Sequence, residues 1–238
     1  MKKKVLIFVL ILFIASLFSV LAQEKPRIGV LRFTNDVAGL FWWNSTVATE
    51  LQDMLSSELV STRKFTVLER TEINAVISEQ DLSASGRVDK KTLVKMGKIK
   101  GAKYLIAGTV AAFEKTSAKG GKIRVKGLSL GGKKEKTYIA VDIKLIDTET
   151  GEIVDARTIE ATIKAKAIGV GLSTRHFAVS GEKAKKTPTG KAIRACVIYI
   201  SEYLVCSVTK GMDHRCMKKW NKMDAKRREK TKSAIDLD

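Results

Sequence analysis

The second half of the chain carries a long alternation of apolar and polar residues, and this pattern constrains the fold more than any other feature. From residue 159 to residue 167, odd positions hold Ile or Ala and even positions hold Glu, Thr or Lys. Side chains of a β-strand point alternately to its two faces, so the pattern predicts a strand with one apolar face. The turn-forming residues 147–151 join it to an apolar-rich strand over 137–145, which predicts a β-hairpin.

Two insertions flank this hairpin, over residues 115–136 and 163–188. Ile123 and Val125 alternate with basic residues in the first, and Ile163 and Ala165 do so in the second. This alternation is typical of transmembrane β-barrel strands, whose apolar side chains face lipid and whose polar side chains face the lumen. The predicted lumen-facing residues are Lys122, Arg124, Lys126, Lys164 and Lys166.

Two hairpins from one chain cannot close a barrel, so the membrane interpretation requires several copies of the chain to pool their strands. The alternative is a long soluble hairpin that extends the sheet, because a period of two occurs in any half-buried strand. The alternation alone leaves both interpretations open.

Strand and helix patterns alternate in the first half of the chain. Strands are predicted over 27–33, 64–68 and 103–110, and helices over 45–59, around 73–77 and, more briefly, from Asp89 to Gly101. After Pro188, a long apolar stripe predicts a core helix, formed by Ala192, Ile193, Cys196, Val197, Ile200, Leu204 and Val205. The predicted fold class is α+β: a mixed α/β domain with two β-hairpin insertions.

The N-terminus has the three parts of a secretory signal peptide. Basic residues 2–4 precede an apolar run over 5–20, and the small side chain of Ala22 stands before Gln23, where we expect cleavage. The alternative, a membrane anchor, would need about 20 apolar residues. The first cysteine is Cys196, so a lipoprotein acylation signal is not expected. No later segment is predicted to cross a membrane as a helix, and the expected parts are 1–22, a domain over 23–211 and a solvated basic tail over 212–238.

The formal net charge of +19 is strongly basic. Basic residues are not interleaved with aromatic ones as in nucleic-acid-binding proteins, so an exported chain is expected to meet anionic head groups rather than nucleic acid. Cys196, Cys206 and Cys216 are ten residues apart, too far to pair within one helix, and are interpreted as small apolar residues. No catalytic, cofactor-binding or metal-binding motif is present, so we expect neither an enzyme nor a metalloprotein.

Several segments resemble the CsgG family of curli production and transport proteins. They are the strand 27–33, the triplet Leu68-Glu69-Arg70, the strand 105–110, the segment 139–147 with Thr150-Gly151-Glu152-Ile153, and the closing helix. The resemblance covers residues 27–211. It implies a ring-shaped homo-oligomer whose α/β part lies in the periplasm, while the insertions form one shared outer-membrane barrel. Secreted, unfolded polypeptide would leave the cell through this barrel, in contact with outer-membrane lipid on the outside.

The resemblance also implies a pore constriction in the loop after the first strand. Phe41, Trp42, Trp43 and Asn44 occupy this loop, which is shorter here than in the family. The alternative is that the tryptophans cover the core. The missing lipoprotein cysteine is a second departure from the family. A soluble periplasmic accessory factor of the same fold, acting in cell-wall synthesis or curli-like assembly, is the alternative function.

Overall fold

A computed structural model describes residues 24–94, 97–125, 128–169 and 187–234. The predicted cleavage site between Ala22 and Gln23 lies outside these residues, as do Lys126 and most of the second insertion.

A mixed six-stranded sheet forms the centre of the domain. The strands are β1 (Arg27–Val30), β2 (Thr34–Asn35), β3 (Thr66–Leu68), β4 (Tyr104–Val125), β5 (Leu128–Asp147) and β6 (Ile153–Gly169). Their order is β3-β1-β4-β5-β6, and β2 pairs with β4. The strands β1 and β2 run parallel to their partners, whereas β4, β5 and β6 are antiparallel.

Four helices occur in the described part of the chain: α1 (Ser45–Thr62), α2 (Ile73–Ala84), α3 (Pro188–Lys210) and α4 (Met217–Lys232). The combination of a mixed sheet and helices confirms the predicted α+β class. Helix α1 is capped by Asn44, whose Oδ1 accepts the Val47 N–H at 2.9 Å, and it ends at Arg63 with a φ of 57°.

The core lies between one face of the sheet and helices α1 and α3. Leu55 and Leu59 of α1 and Ile200 of α3 are fully buried there. Six of the seven residues predicted for the α3 stripe are buried, and Val205 packs against them. By length and composition α3 could cross a membrane, contrary to the sequence prediction, but 56% of its apolar window is buried within the domain.

The hairpin predicted at residues 147–151 is confirmed. The Gly151 N–H donates to the Asp147 carbonyl at 2.9 Å, and Asp147 Oδ1 accepts the Glu149 N–H at 2.8 Å. Gly151 has a φ of 75°, a left-handed conformation that glycine adopts without a steric penalty.

The prediction of a short helix beginning at Asp89 is wrong for the residues that the structure describes. Asp89 caps a single turn, in which its carbonyl accepts the Thr92 N–H at 2.9 Å and its Oδ1 accepts the Lys91 N–H at 2.8 Å. Leu93 and Val94 remain 43% and 48% exposed, so they bury too little apolar surface to hold a longer helix.

Residues 217–232 of the basic tail form helix α4, which is attached to the domain and is not wholly solvated as expected. Met217 and Trp220 of α4 are 1% and 3% exposed. The Trp220 ring packs edge-on against Tyr203 of α3, with 5.6 Å between ring centroids. The other residues of α4 are mostly exposed, so two apolar side chains attach an otherwise solvated helix.

Candidate functional site

Strands β4, β5 and β6 continue past the core as a three-stranded antiparallel ribbon. We define the ribbon as residues 115–125 of β4, 128–137 of β5 and 163–169 of β6. The first predicted insertion therefore forms a hairpin. In the described residues, the ribbon part of β4 and the whole of β6 pair only with β5, so both outer edges of the ribbon lack a partner strand.

Lysines stand directly opposite one another at three places in the ribbon. The register opposes Lys119 to Lys133, Lys134 to Lys166 and Lys136 to Lys164. Like charges in directly opposed positions destabilise a sheet. Lys136 and Lys164 are both exposed, so water screens this pair. The ribbon segments are thus rich in lysine.

The other predicted ribbon residues fall into two groups. At the base, Ile163 is opposed to Thr137 and packs against the hydrophobic core, so in this structure it faces the domain's own interior. Farther out, the register opposes apolar to apolar and basic to small residues. The pairs are Ile123 with Leu130, Val125 with Leu128, Arg124 with Ser129 and Lys122 with Gly131.

The structure separates the four predicted constriction residues. Trp42 is 2% exposed and lies in the core, with its ring 5.3 Å from the Phe113 ring and 6.0 Å from the Trp43 ring. This burial agrees with the alternative that the tryptophans cover the core. Among the described residues, the buried Trp42 Nε1–H has no hydrogen-bond partner. Asn44 serves as the cap of α1.

Phe41 is the exception in this loop, because 66% of its surface is exposed. Its ring makes an edge-on contact with Phe113, at 6.1 Å between centroids. An aromatic ring held against the domain yet open to solvent is available to contact another chain. The constriction therefore stays a prediction.

Helix α2 and the loop after it expose large apolar side chains. We call this group the apolar segment, and its members are each between 39% and 48% exposed: Val76, Ile77, Leu82, Leu93, Val94 and Ile99. Ser83 is the buried residue of α2, so the helix is loosely attached to the domain. The sequence pattern located the apolar face of α2 but gave no sign that this face remains uncovered.

Two tyrosines donate hydrogen bonds to carboxylates of β6. The Tyr138 hydroxyl donates to Glu160 Oε1 at 2.6 Å, and the Tyr203 hydroxyl donates to both Asp155 oxygens, at 2.7 and 2.8 Å. Burial, and secondly the neighbouring carboxylate, raises the pKa of each tyrosine above its ordinary value. Both therefore act as hydrogen-bond donors that hold β6 in place. The Arg157 guanidinium lies over the Tyr203 ring, 5.0 Å from its centroid.

Cys206 and Cys216 form a disulfide, which corrects the interpretation of all three cysteines as ordinary apolar residues. The prediction from the sequence assumed that the three cysteines lie in one continuous helix. Helix α3 instead ends at Lys210, and Gly211, with a φ of 88°, turns the chain back so that the two Cα atoms are 6.0 Å apart. Gly211 between the cysteines was the signal for this turn. Cys196 is a buried free thiol, and burial raises its pKa to about 12.

A histidine lies beside this disulfide. His214 Nδ1 is 3.0 Å from Cys216 Sγ, and the ligand atoms of Cys206, His214 and Cys216 all lie within 4.8 Å of one another. No metal site was expected from the sequence, which holds two histidines, yet one of them is brought to both cysteines. The turn at Gly211 is again the cause.

The family model of the curli production assembly/transport component CsgG matches residues 14–235. The chain belongs to the CsgG family. The match confirms the resemblance found in the sequence and extends it beyond residues 27–211 at both ends. CsgG membership places the chain among envelope- and secretion-associated proteins.

One curated relative is named as a lipoprotein of Neisseria meningitidis serogroup B. It is 28% identical over 108 residues, which make up 45% of this chain and 43% of that protein. The chain thus matches less than half of the relative's length.

The solved structures to which this CsgG-family chain is similar share little sequence with it. A protein of Chlamydia trachomatis is 13% identical, with a TM-score of 0.42 over 77% of this chain and 100% of its own. PelC of Paraburkholderia phytofirmans, solved as a dodecamer, is 13% identical, with a TM-score of 0.31 over 58% and 73% of the two chains. Lipoprotein GNA1162 of Neisseria meningitidis is 12% identical, with a TM-score of 0.31 over 59% and 85%.

The triplet Leu68-Glu69-Arg70, which carries part of the resemblance to the CsgG family, has a structural role here. Glu69 Oε1 accepts the backbone N–H groups of Arg70, Thr71 and Glu72 at 2.7, 2.5 and 3.2 Å. The bond from Thr71 contributes most to lowering the pKa of Glu69, against an opposing effect of burial. The carboxylate thus organises the turn from β3 into α2.

Proposed function

We propose that this CsgG-family chain forms a ring-shaped homo-oligomer whose ribbons build a shared outer-membrane pore for the export of unfolded polypeptide. The observation that carries the proposal is the ribbon, which runs past the core with two edges unpaired in the described residues. Free sheet edges are sites for pairing with further strands. Neighbouring copies of the chain would supply those strands and close the barrel.

The charges at the base of the ribbon indicate where membrane contact could begin. Lys136 and Lys164 are exposed on one face, and Ile163 on the other face packs against the core. Only strand residues beyond about position 117 are then free to meet lipid. Eight residues of β4, 118–125, span about 26 Å at about 3.3 Å each. Barrel strands tilt by about 40°, so these residues cover about 20 Å of the apolar band of about 25 Å on outer-membrane barrels.

The basic residues beyond the base support a water-filled lumen, because the register puts Lys119, Lys133 and Arg124 on one face of the ribbon and Ile123 and Leu130 on the other. The pair of Lys134 and Lys166 falls on the apolar face, next to the base. A basic residue facing lipid at the midplane costs about 2–4 kcal/mol, so several of them are tolerated only on a wet side. Lysine pairs repeated in every copy would give the pore a preference for anions that weakens as salt screens them. Phe41, exposed at the loop after β1 and β2, is the proposed contact for the exported chain.

The apolar segment supports the homo-oligomer. Exposed apolar side chains are a feature of protein–protein interfaces where they gather into a patch. Val76, Ile77 and Leu82 lie on a helix that the domain itself barely covers. A neighbouring copy packed against α2 would bury these side chains, and this contact would hold adjacent subunits together in the ring.

A pair of adjacent substitutions in β4 tests the pore. Ile123→Lys puts a charge where the register opposes Ile123 to Leu130, and we expect it to shift the protein from detergent-extracted membranes to the soluble fraction. Arg124→Glu is the matched control, for which we expect normal membrane insertion and a shift of ion selectivity toward cations in planar bilayers. Negative-stain images of the detergent-purified wild type should show rings with a central channel.

The second candidate is a soluble periplasmic accessory factor of the same fold. It is favoured by the packing of Ile163 against the core and by the opposition of Glu135 to Ala165, which puts a charge beside an apolar position. If the wild type and both variants are recovered alike from an osmotic-shock extract and give no conductance, this candidate replaces the pore.

A further inference from the structure

We propose that reduction of the Cys206–Cys216 disulfide opens a binding site for a thiophilic metal ion, Cu⁺ in preference to Zn²⁺. The ligands are the two cysteine Sγ atoms and His214 Nδ1, which already lies 3.0 Å from Cys216 Sγ. This inference is independent of the proposed pore. It concerns the joint between α3 and α4, away from the ribbon.

Once the disulfide is broken, the three ligand atoms are close enough together to share a single ion. Metal–sulfur bonds are about 2.3 Å and metal–nitrogen bonds about 2.0 Å long, so ligands sharing one ion lie within about 4.6 Å of each other. The three ligand atoms here lie within 4.8 Å of one another. The two cysteine Cα atoms are 6.0 Å apart. Rotation of the side chains is therefore enough to move the sulfur atoms from a covalent bond to positions around an ion.

The chemistry needs a dithiol reductant, which is oxidised to a disulfide. It supplies two electrons and two protons, the Sγ–Sγ bond breaks, and two thiols remain. Binding of one Cu⁺ then releases both thiol protons to solvent and forms two Cu–S bonds and one Cu–N bond. The disulfide and the metal site exclude each other, because the same sulfur atoms serve both.

The surroundings favour Cu⁺ over Zn²⁺. Two thiolates and a neutral imidazole leave a net charge of −1 with Cu⁺ and zero with Zn²⁺. Lys210, Arg215, Lys219 and one acid, Glu202, line the same surface depression as the three ligands. Lys219 Nζ is 3.1 Å from Glu202 Oε2, so Lys210 and Arg215 supply the excess positive charge. Basic side chains stabilise thiolates and a negatively charged complex, and soft thiolate ligands select Cu⁺. Three ligands also leave Zn²⁺ short of its usual four.

The third cysteine supplies an internal control. Cys196 is 1% exposed within α3, and burial raises the pKa of its thiol to about 12. A buried thiol that resists deprotonation is a poor metal ligand. Cys196→Ser should therefore leave metal binding unchanged.

The test is anaerobic titration of the full chain with Cu⁺ held by a chromogenic chelator, before and after reduction and removal of the reductant. We expect one Cu⁺ per chain in the reduced protein and none in the oxidised protein. His214→Ala should weaken binding by about tenfold or more. Bound Cu⁺ should also protect Cys206 and Cys216 from alkylation, as read by mass spectrometry.

Three outcomes would overturn the proposal: no Cu⁺ binding by reduced wild type, binding unaffected by His214→Ala, or equal or tighter binding of Zn²⁺. Circular dichroism shows whether the reduced chain is still folded. Loss of its helical signal would show that the disulfide is needed for folding alone and would equally reject the site. Cys196→Ser with wild-type affinity confirms that the effect belongs to the disulfide pair.

Discussion

The ring of Phe33 lies directly over the backbone of Gly108, so close that a Cβ added at Gly108 would stand 2.5 Å from Phe33 Cε1. Phe33 is 2% exposed and belongs to the hydrophobic core. The absence of a side chain at Gly108 is thus what allows the segment after β1 to close on β4.

Gly108→Ala should therefore destabilise the domain by about 1–3 kcal/mol, because a methyl group would force Phe33 out of its position in a packed core. Urea unfolding measures this change. Gly101→Ala is the matched control, since a Cβ there meets no atom within 4 Å. Equal stability of the two variants would show that Phe33 can move without cost.

Tyr203→Phe should destabilise the domain by about 1–3 kcal/mol, because the buried hydroxyl donates to both oxygens of Asp155 and its loss removes their partner. Thermal unfolding of the variant is the measurement. Tyr199→Phe, on the same helix, is the control, because Tyr199 contributes ring contacts with Trp220. If the Tyr203 variant is as stable as this control, water can replace the Tyr203 hydroxyl as the hydrogen-bond partner of Asp155.

Glu69→Ala should lower stability near neutral pH, with the difference from wild type disappearing in acid. The pKa of Glu69 is lowered in the folded state, first by the Thr71 N–H bond. Its contribution is therefore complete above the ordinary carboxyl pKa of 4.5 and is lost as the pH falls through the lower folded value.

Melting temperatures of both proteins at several pH values, from about neutral to about 3, measure this effect. Amide exchange in α2 should report the same change locally, since Glu69 precedes that helix. A constant difference across the whole pH range would mean that the Glu69 side chain acts through packing and not through its charge.

Val76→Glu should reduce the size of the oligomer without unfolding the chain, because Val76 is 44% exposed in the single subunit and a charge opposes its burial against a neighbour. Sedimentation velocity in detergent gives the size. Asn74→Glu, exposed on the same helix, controls for added charge. A wild type that sediments as a monomer, or two variants that behave identically, would contradict an interface at α2.

Local sequence patterns determined much of this protein. The alternation after residue 159, the turn at Asp147 and the stripe of α3 were sufficient to predict the hairpin and the core helix, because strand and helix periods depend on neighbouring residues alone. The segments shared with the CsgG family were likewise sufficient to predict membership of that family. The prediction of a short helix at Asp89 failed because the sequence indicates the capping residue but does not indicate that Leu93 remains exposed.

Tertiary structure alone decided which distant residues meet. Trp42 and Phe41 are neighbours in the same aromatic loop, yet one is 2% and the other 66% exposed, because only one side of the loop faces the core. Cys206 reaches Cys216 through a chain reversal at Gly211, and Lys136 stands opposite Lys164 through the register of β5 and β6. Such contacts depend on how elements are placed in space, which the period of a single segment does not specify.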